Sequence, residues 1–144
     1  MTLDEILQSW KADSTIDRTE LGDESLRIIT LHAKYMELYR HEKLKLVKKR
    51  QLMNKLRMNK YEFYTMGPTE ETKSLGWKLP PRGAVIKSEV QMYIDADDDI
   101  IRYNLNIAMA QEKVDLLLDI IKECNNRRWS IKAALDWLKW TSGG

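Results

Sequence analysis

Glycine and proline are confined to a few places in this 144-residue chain, and their absence elsewhere constrains the fold most. Neither occurs between Gly22 and Gly67, nor between Gly83 and Gly143. All three prolines (Pro68, Pro80, Pro81) and three of the six glycines fall within residues 67–83. Two long stretches free of the strongest helix breakers predict two long helical regions around a loop. The expected fold is all-α, divided into an N-terminal helical region over 1–66, a loop or linker over 67–86, and a C-terminal helical region over 87–144.

Within the first region a short helix is expected near residues 2–12, opened by a capping box at Thr2-Leu-Asp-Glu5. Asp13-Ser14-Thr15 ends it. Asp17 and Glu20 can cap the next helix, which nothing then interrupts from Asp23 to Met66. Such a helix reaches roughly 65 Å at 1.5 Å per residue. A compact chain of this size has a radius of gyration of only about 15 Å. The expectation is therefore a projecting helix that needs partner subunits, with a hidden kink as the alternative.

In the second region Ile100, Tyr103, Ile107, Ala110, Val114, Leu117, Ile121 and Cys124 alternate steps of three and four, an apolar seam of about 25 residues. A second face carries Ile101, Leu105, Ala108, Leu116 and Ile120. The helix is expected to break at Asn125-Asn126-Arg127-Arg128. Ser130 would then cap a last helix from Ile131 to about Trp140. That helix is two-faced, with Ile131, Ala134, Leu135 and Leu138 opposite Ala133, Trp137 and Trp140. Two apolar faces on each helix imply more neighbours than one chain supplies, so homo-oligomerisation is expected through Ile100, Tyr103, Ile107, Val114, Leu117, Ile121, Leu135, Trp137, Leu138 and Trp140.

Charge is segregated. Nine of the 21 residues from Arg40 to Lys60 are Lys or Arg and only Glu42 is acidic, so a chain of net charge +2 carries about −6 elsewhere. The cations are Arg40, Lys43, Lys45, Lys48, Lys49, Arg50, Lys55, Arg57 and Lys60, followed by Tyr61, Phe63 and Tyr64. Cations next to aromatic rings suit single-stranded nucleic acid, which offers phosphates and flat bases together. The expected contacts are those nine cations with Tyr61 and Tyr64. A solvated helix flank is the plain alternative, but such a flank normally mixes both signs. RNA, an anionic protein or a membrane surface would also suit a non-catalytic helical scaffold with this basic face.

Catalytic constellations are absent. There is no GxxxxGK[ST] phosphate loop. His32, His41 and the single Cys124 do not supply a zinc site. Asp95-Ala-Asp-Asp-Asp99 imitates the start of a calcium loop, but Ile100 stands where glycine is needed and Asn106 replaces the bidentate glutamate. These acids fit better as the N-terminus of the following helix, where the helix dipole favours them. No cofactor, metal or enzyme activity is expected. No apolar run approaches a membrane span, the first residues lack signal-peptide character, and one cysteine gives no disulfide framework. The chain reads as intracellular.

The order of Lys87-Ser-Glu-Val, an Ala-Asp step, an Ile-rich helix and Ile120-Ile-Lys-Glu-Cys-Asn-Asn-Arg-Arg-Trp-Ser-Ile-Lys-Ala-Ala-Leu-Asp-Trp-Leu-Lys resembles the UvsY family of T-even-type phages and their cyanophage relatives. The Leu-Asp-Glu-Ile-Leu opening, Ile16-Asp17 and Lys34-Tyr-Met-Glu-Leu-Tyr extend the likeness to nearly the whole chain outside 67–83. The resemblance implies a ring-like homo-oligomer, a hexamer or heptamer, formed through C-terminal helices. It implies single-stranded DNA binding and help in loading a RecA-like recombinase of the UvsX type onto strands covered by the phage single-strand-binding protein. It also implies location in the cytoplasm of the infected bacterial host. The family's Lys-x-Arg pair before two aromatics falls here on Met58 and Lys60, with Arg57 adjacent. The acidic patches, Asp95–Asp99 and the N-terminal Asp and Glu residues, are candidate docking surfaces for protein partners.

Overall fold

The structure, a computed structural model, describes residues 1–143. The fold is all-α: α1 (Leu3–Asp13), α2 (Leu21–Met66), α3 (Glu70–Ser74), α4 (Val90–Asp95) and α5 (Asp98–Thr141), with no strand among the described residues. The expected capping box starts α1: the Thr2 hydroxyl accepts from the Glu5 N–H, and the Glu5 carboxylate accepts from the Thr2 N–H. Next, Asp17 closes a turn on Thr19 ahead of α2. α2 is a single helix of 46 residues and ends at Gly67, whose φ of 93° is the left-handed geometry that closes a helix at little cost to glycine.

Two sequence expectations need correction. α5 is one helix of 44 residues; it does not break at Asn125–Arg128, and Ser130 is not a cap. Ser130 Oγ instead donates to the Asn126 carbonyl one turn back, and the Arg127 side chain leaves the helix to donate to the Ser14 carbonyl and lie over Trp10. Asparagine and arginine cost a helix interior only a few tenths of a kcal/mol, about 0.7 at most, and burial of the next apolar position, Ile131, carries the helix through them. The 67–83 segment is also less irregular than expected. Thr69 and Thr72 form a second capping box and open α3.

The chain forms two compact units. The first joins Met1–Lys45 with Met109–Gly144, and the second is Leu46–Ala108. These units do not follow the division at residues 67–86. The core of the first unit packs Ile6 of α1 and Ile28, Leu31 and Tyr35 of α2 against Leu117, Ile120, Ile121, Cys124 and Ile131 of α5. Burying one such aliphatic side chain is worth about 1.5–3 kcal/mol. In the second unit the core packs Met53, Phe63 and Tyr64 of α2 against Val90 and Ile94 of α4 and Ile100 of α5. The over-long helix is thus covered within each unit by the chain's own α5. A second helix of similar length is the solution that the expected break at Asn125 concealed.

Candidate nucleic-acid interface

The nine cations of Arg40–Lys60 turn with the helix, and the buried side of α2 sorts them. Glu42, the one acid among them, is turned inward, where Lys45 Nζ lies 3.6 Å and Lys113 Nζ 3.9 Å from its carboxylate. Arg40 and Lys43 are exposed, Lys43 lying 5.5 Å from the Tyr39 ring centre. Lys49 donates to Asn106 Oδ1 at 2.9 Å. Arg50 is exposed. Arg57 meets the Asp95 carboxylate at 3.2 Å on the surface. Lys48 and Lys55 are exposed and have no ion-pair partner among the described residues.

Lys60 lies elsewhere. Its exposure is 2%, and its Nζ lies 3.1 Å from Asp97 Oδ2, 2.8 Å from Asp99 Oδ2 and 3.8 Å from the Trp77 ring centre. The Tyr64 hydroxyl donates to the same Asp97 oxygen at 2.5 Å. Asp97 Oδ1 accepts from the backbone N–H groups of Asp99 and Ile100, which places this carboxylate at the N-terminus of α5 as the sequence suggested. Burial alone would raise the Asp97 carboxyl. The Tyr64 hydroxyl, Lys60 and the Ile100 N–H outweigh it and hold the group below the ordinary carboxylate range. Burial, followed by the bond to Asp97, pushes the Tyr64 phenol up. Lys60 and Tyr64 are therefore enclosed, and their expected contact with DNA does not fit where they lie. Trp77, from the loop, completes this cluster; no local pattern pointed to it.

Of the three rings after the basic run, Phe63 packs edge-on against Trp77 and Tyr64, and only Tyr61, 38% exposed, reaches solvent. Arg40, Lys43, Lys45, Lys48, Arg50, Lys55 and Tyr61 are exposed, with Arg57 at the edge, and these are the groups that phosphates and a base can meet.

The expected oligomer seam is likewise sorted by burial. Ile100, Val114, Leu117 and Ile121 are buried in the cores of the two units, and Tyr103 and Ile107 are half-buried against the second core. They are covered from within the chain. Leu135 packs partly on the first core, whereas Trp137, Leu138 and Trp140 are exposed, the two indoles 5.8 Å apart. Trp137 and Leu138 also wall an open groove of about 800 Å³ in the first unit, together with Ile16, Leu21, Ile131 and Ala134. No helix among the described residues is long and apolar enough to cross a membrane.

The family model for the recombination, repair and ssDNA binding protein UvsY matches residues 9–144. Crystal structures of the bacteriophage T4 recombination mediator protein UvsY share the fold. One lattice form superposes with a TM-score of 0.81 at 20% identity, over 99% of both chains. Another gives 0.80 at 16% identity, over 98% of this chain and 99% of that one. No curated protein sequence matches the chain.

Proposed function

The chain belongs to the UvsY family, and from that premise we propose that it binds single-stranded DNA through exposed cations of α2 and acts as a non-catalytic recombination mediator. The observation that carries this reading is the pair Lys48 and Lys55. They stand seven residues apart on one side of α2, exposed and without an ion-pair partner among the described residues. Two such cations bind phosphates without regard to sequence, by releasing counterions. Arg57 adds a third positive group, since its surface pair with Asp95 is worth little and yields to a phosphate. Tyr61 offers a ring on which one base can stack for about 1–3 kcal/mol. Lys60 and Tyr64 act at one remove, by fixing the C-terminal end of α2 in the second unit.

Assembly into a ring, a hexamer or heptamer, through the exposed apolar groups of α5 (Trp137, Leu138, Trp140) is part of the proposal. The assembled protein then helps a RecA-like recombinase of the UvsX type onto strands that the phage single-strand-binding protein covers, in the cytoplasm of an infected bacterium. Repetition of one modest basic site around an assembly raises affinity by orders of magnitude over a single copy.

The test is fluorescence anisotropy of labelled single-stranded DNA over a salt series, with sedimentation in parallel. Binding by an assembled species that weakens steeply with salt supports the reading. Absence of binding at low salt, with assembly intact, hands the basic helix to the scaffold reading.

A further inference from the structure

The last turns of α5, in the first unit, bring cations and a ring together a second time. From Asn125 to Gly144 the chain has four cations, Arg127, Arg128, Lys132 and Lys139, against one acid, Asp136. Arg127 is engaged with the Ser14 carbonyl and the Trp10 ring. Arg128, Lys132, Lys139 and Asp136 are exposed, and none has an ion-pair partner among the described residues. Asn125, Arg128, Trp129 and Lys132 share one side of the helix, distinct from that of the buried Cys124 and Ile131. Together they line an open hollow of about 410 Å³. Asp136 and Lys139 continue that side one and two turns on, so three cations stand there against one acid.

Trp129 is 69% exposed, with Lys132 Nζ 5.6 Å from its ring centre. Its surroundings set it apart from the other exposed indoles of α5. Trp137 and Trp140 lie 5.8 Å apart beside exposed Leu138, an apolar group. The residues three and four positions from Trp129 are Asn125, Asn126, Lys132 and Ala133, so no large aliphatic side chain adjoins it along the helix. The centre of a protein contact is apolar and poor in charge. A lone indole among cations and amides lacks that border, and has what a base and its phosphates require.

We infer that Asn125, Arg128, Trp129 and Lys132 form a second contact for single-stranded nucleic acid. One base stacks on the Trp129 indole, and the flanking phosphates meet Arg128 and Lys132. Those two cations stand one helical turn apart, about 5–6 Å between Cβ atoms, close to the step between successive phosphates of an extended strand. The flexible Lys132 stem lets its ammonium leave the ring for a phosphate. Stacking makes the contact indifferent to sequence, while the Asn125 amide offers a donor and an acceptor to a base edge. An acidic protein segment would satisfy the cations but leave the indole without a flat partner. The ligand class is that of the reading above, on which the inference rests. The site is a separate one: Lys48 and Lys55 lie in the second unit and this patch in the first.

The experiment compares the whole protein with Trp129→Ala and Arg128→Ala/Lys132→Ala. Single-stranded DNA binding is followed by anisotropy over a salt series, with sedimentation velocity in parallel. Trp129→Ala should bind at least about fivefold more weakly, the loss of one stacked base. Arg128→Ala/Lys132→Ala should make the slope of log K against log salt shallower by about 1.4, at about 0.7 for each phosphate. Both variants should assemble as the wild-type protein does. Irradiation with an oligonucleotide carrying 5-iodouracil should cross-link Trp129, read by mass spectrometry. Wild-type affinity and slope in both variants, or no cross-link at Trp129, overturns the inference. Loss of assembly in either variant overturns it too, by making the patch a subunit contact. Unchanged DNA binding with loss of binding to poly-glutamate would assign the patch to an acidic protein segment instead. A wild-type protein that binds no single-stranded DNA at low salt removes the reading on which the inference rests.

Discussion

The two compact units are built from the same two helices and held by different chemistry. The first is an aliphatic core, with Ile6, Ile28, Leu117 and Cys124 almost wholly enclosed. Its charged groups are carboxylates with cations beside them: Glu24 and Glu42 are buried next to Arg27 and Lys113, and at the edge Asp13 accepts from Lys34 and from the Tyr35 hydroxyl. The second unit encloses a charge, with Lys60 held by two carboxylates and an indole. An aliphatic core tolerates the loss of a methyl group by partial collapse, but a buried ion cluster fails when one member goes, because the others stay charged and dry. The cation at the end of the basic run is therefore a structural group, while Lys48 and Lys55 earlier in the run face solvent.

The largest expected effect is that of Lys60→Ala. It leaves Asp97 buried without its cation and should destabilise the protein by about 3–5 kcal/mol. Hydrogen exchange should show the loss first in Leu46–Ala108. Protection lost equally in both units would mean that the cluster holds no particular part of the fold. Leu117→Ala, in the first unit, should cost about 3 kcal/mol by opening a cavity, within the usual range of about 2–5 for such changes. A cost below about 1 kcal/mol would show that the seam is not packed inside the chain.

Acid should weaken both units, each through its own carboxylate. Asp97 is held below its ordinary pKa of 3.8 in the fold, so the unfolded chain binds its proton first. Its contribution is complete above the unfolded value and is lost as pH falls through the folded one. Lowering pH below about 4 should therefore weaken the second unit, and Asp97→Asn should flatten that dependence. Asp13 is lowered too, by Lys34 and the Tyr35 hydroxyl against the effect of burial, so the first unit has an acid response of its own with the same sign. Tyr61→Ala should cost about 1–3 kcal/mol in DNA affinity and leave stability within about 0.5 kcal/mol. Equal affinity in that variant would take the ring out of the site.

Much of this architecture was legible in the residues. The Thr2–Glu5 capping box, the unbroken helix to Met66 and the three-four seam from Ile100 to Cys124 are local patterns, and local patterns survive folding. What covers the seam was not legible. Periodicity shows that a face is buried, but not whether its cover comes from the same chain or another. Asn125–Arg128 looked like a stop because the partner of Arg127, the Ser14 carbonyl, lies 113 residues away. Lys60 looked like its neighbours for the same reason: Trp77, Asp97 and Asp99 reach it only through the fold.

Which cations meet DNA is the central claim, and the salt dependence of binding by Lys48→Ala/Lys55→Ala measures it most directly. Each phosphate contact on single-stranded DNA contributes about 0.7 to the slope of log K against log salt. The double variant, with stability unchanged, should therefore bind more weakly and with a slope shallower by about 1.4, twice that single-contact value. A slope and affinity equal to those of the wild-type protein would contradict this assignment and place the nucleic acid on another surface.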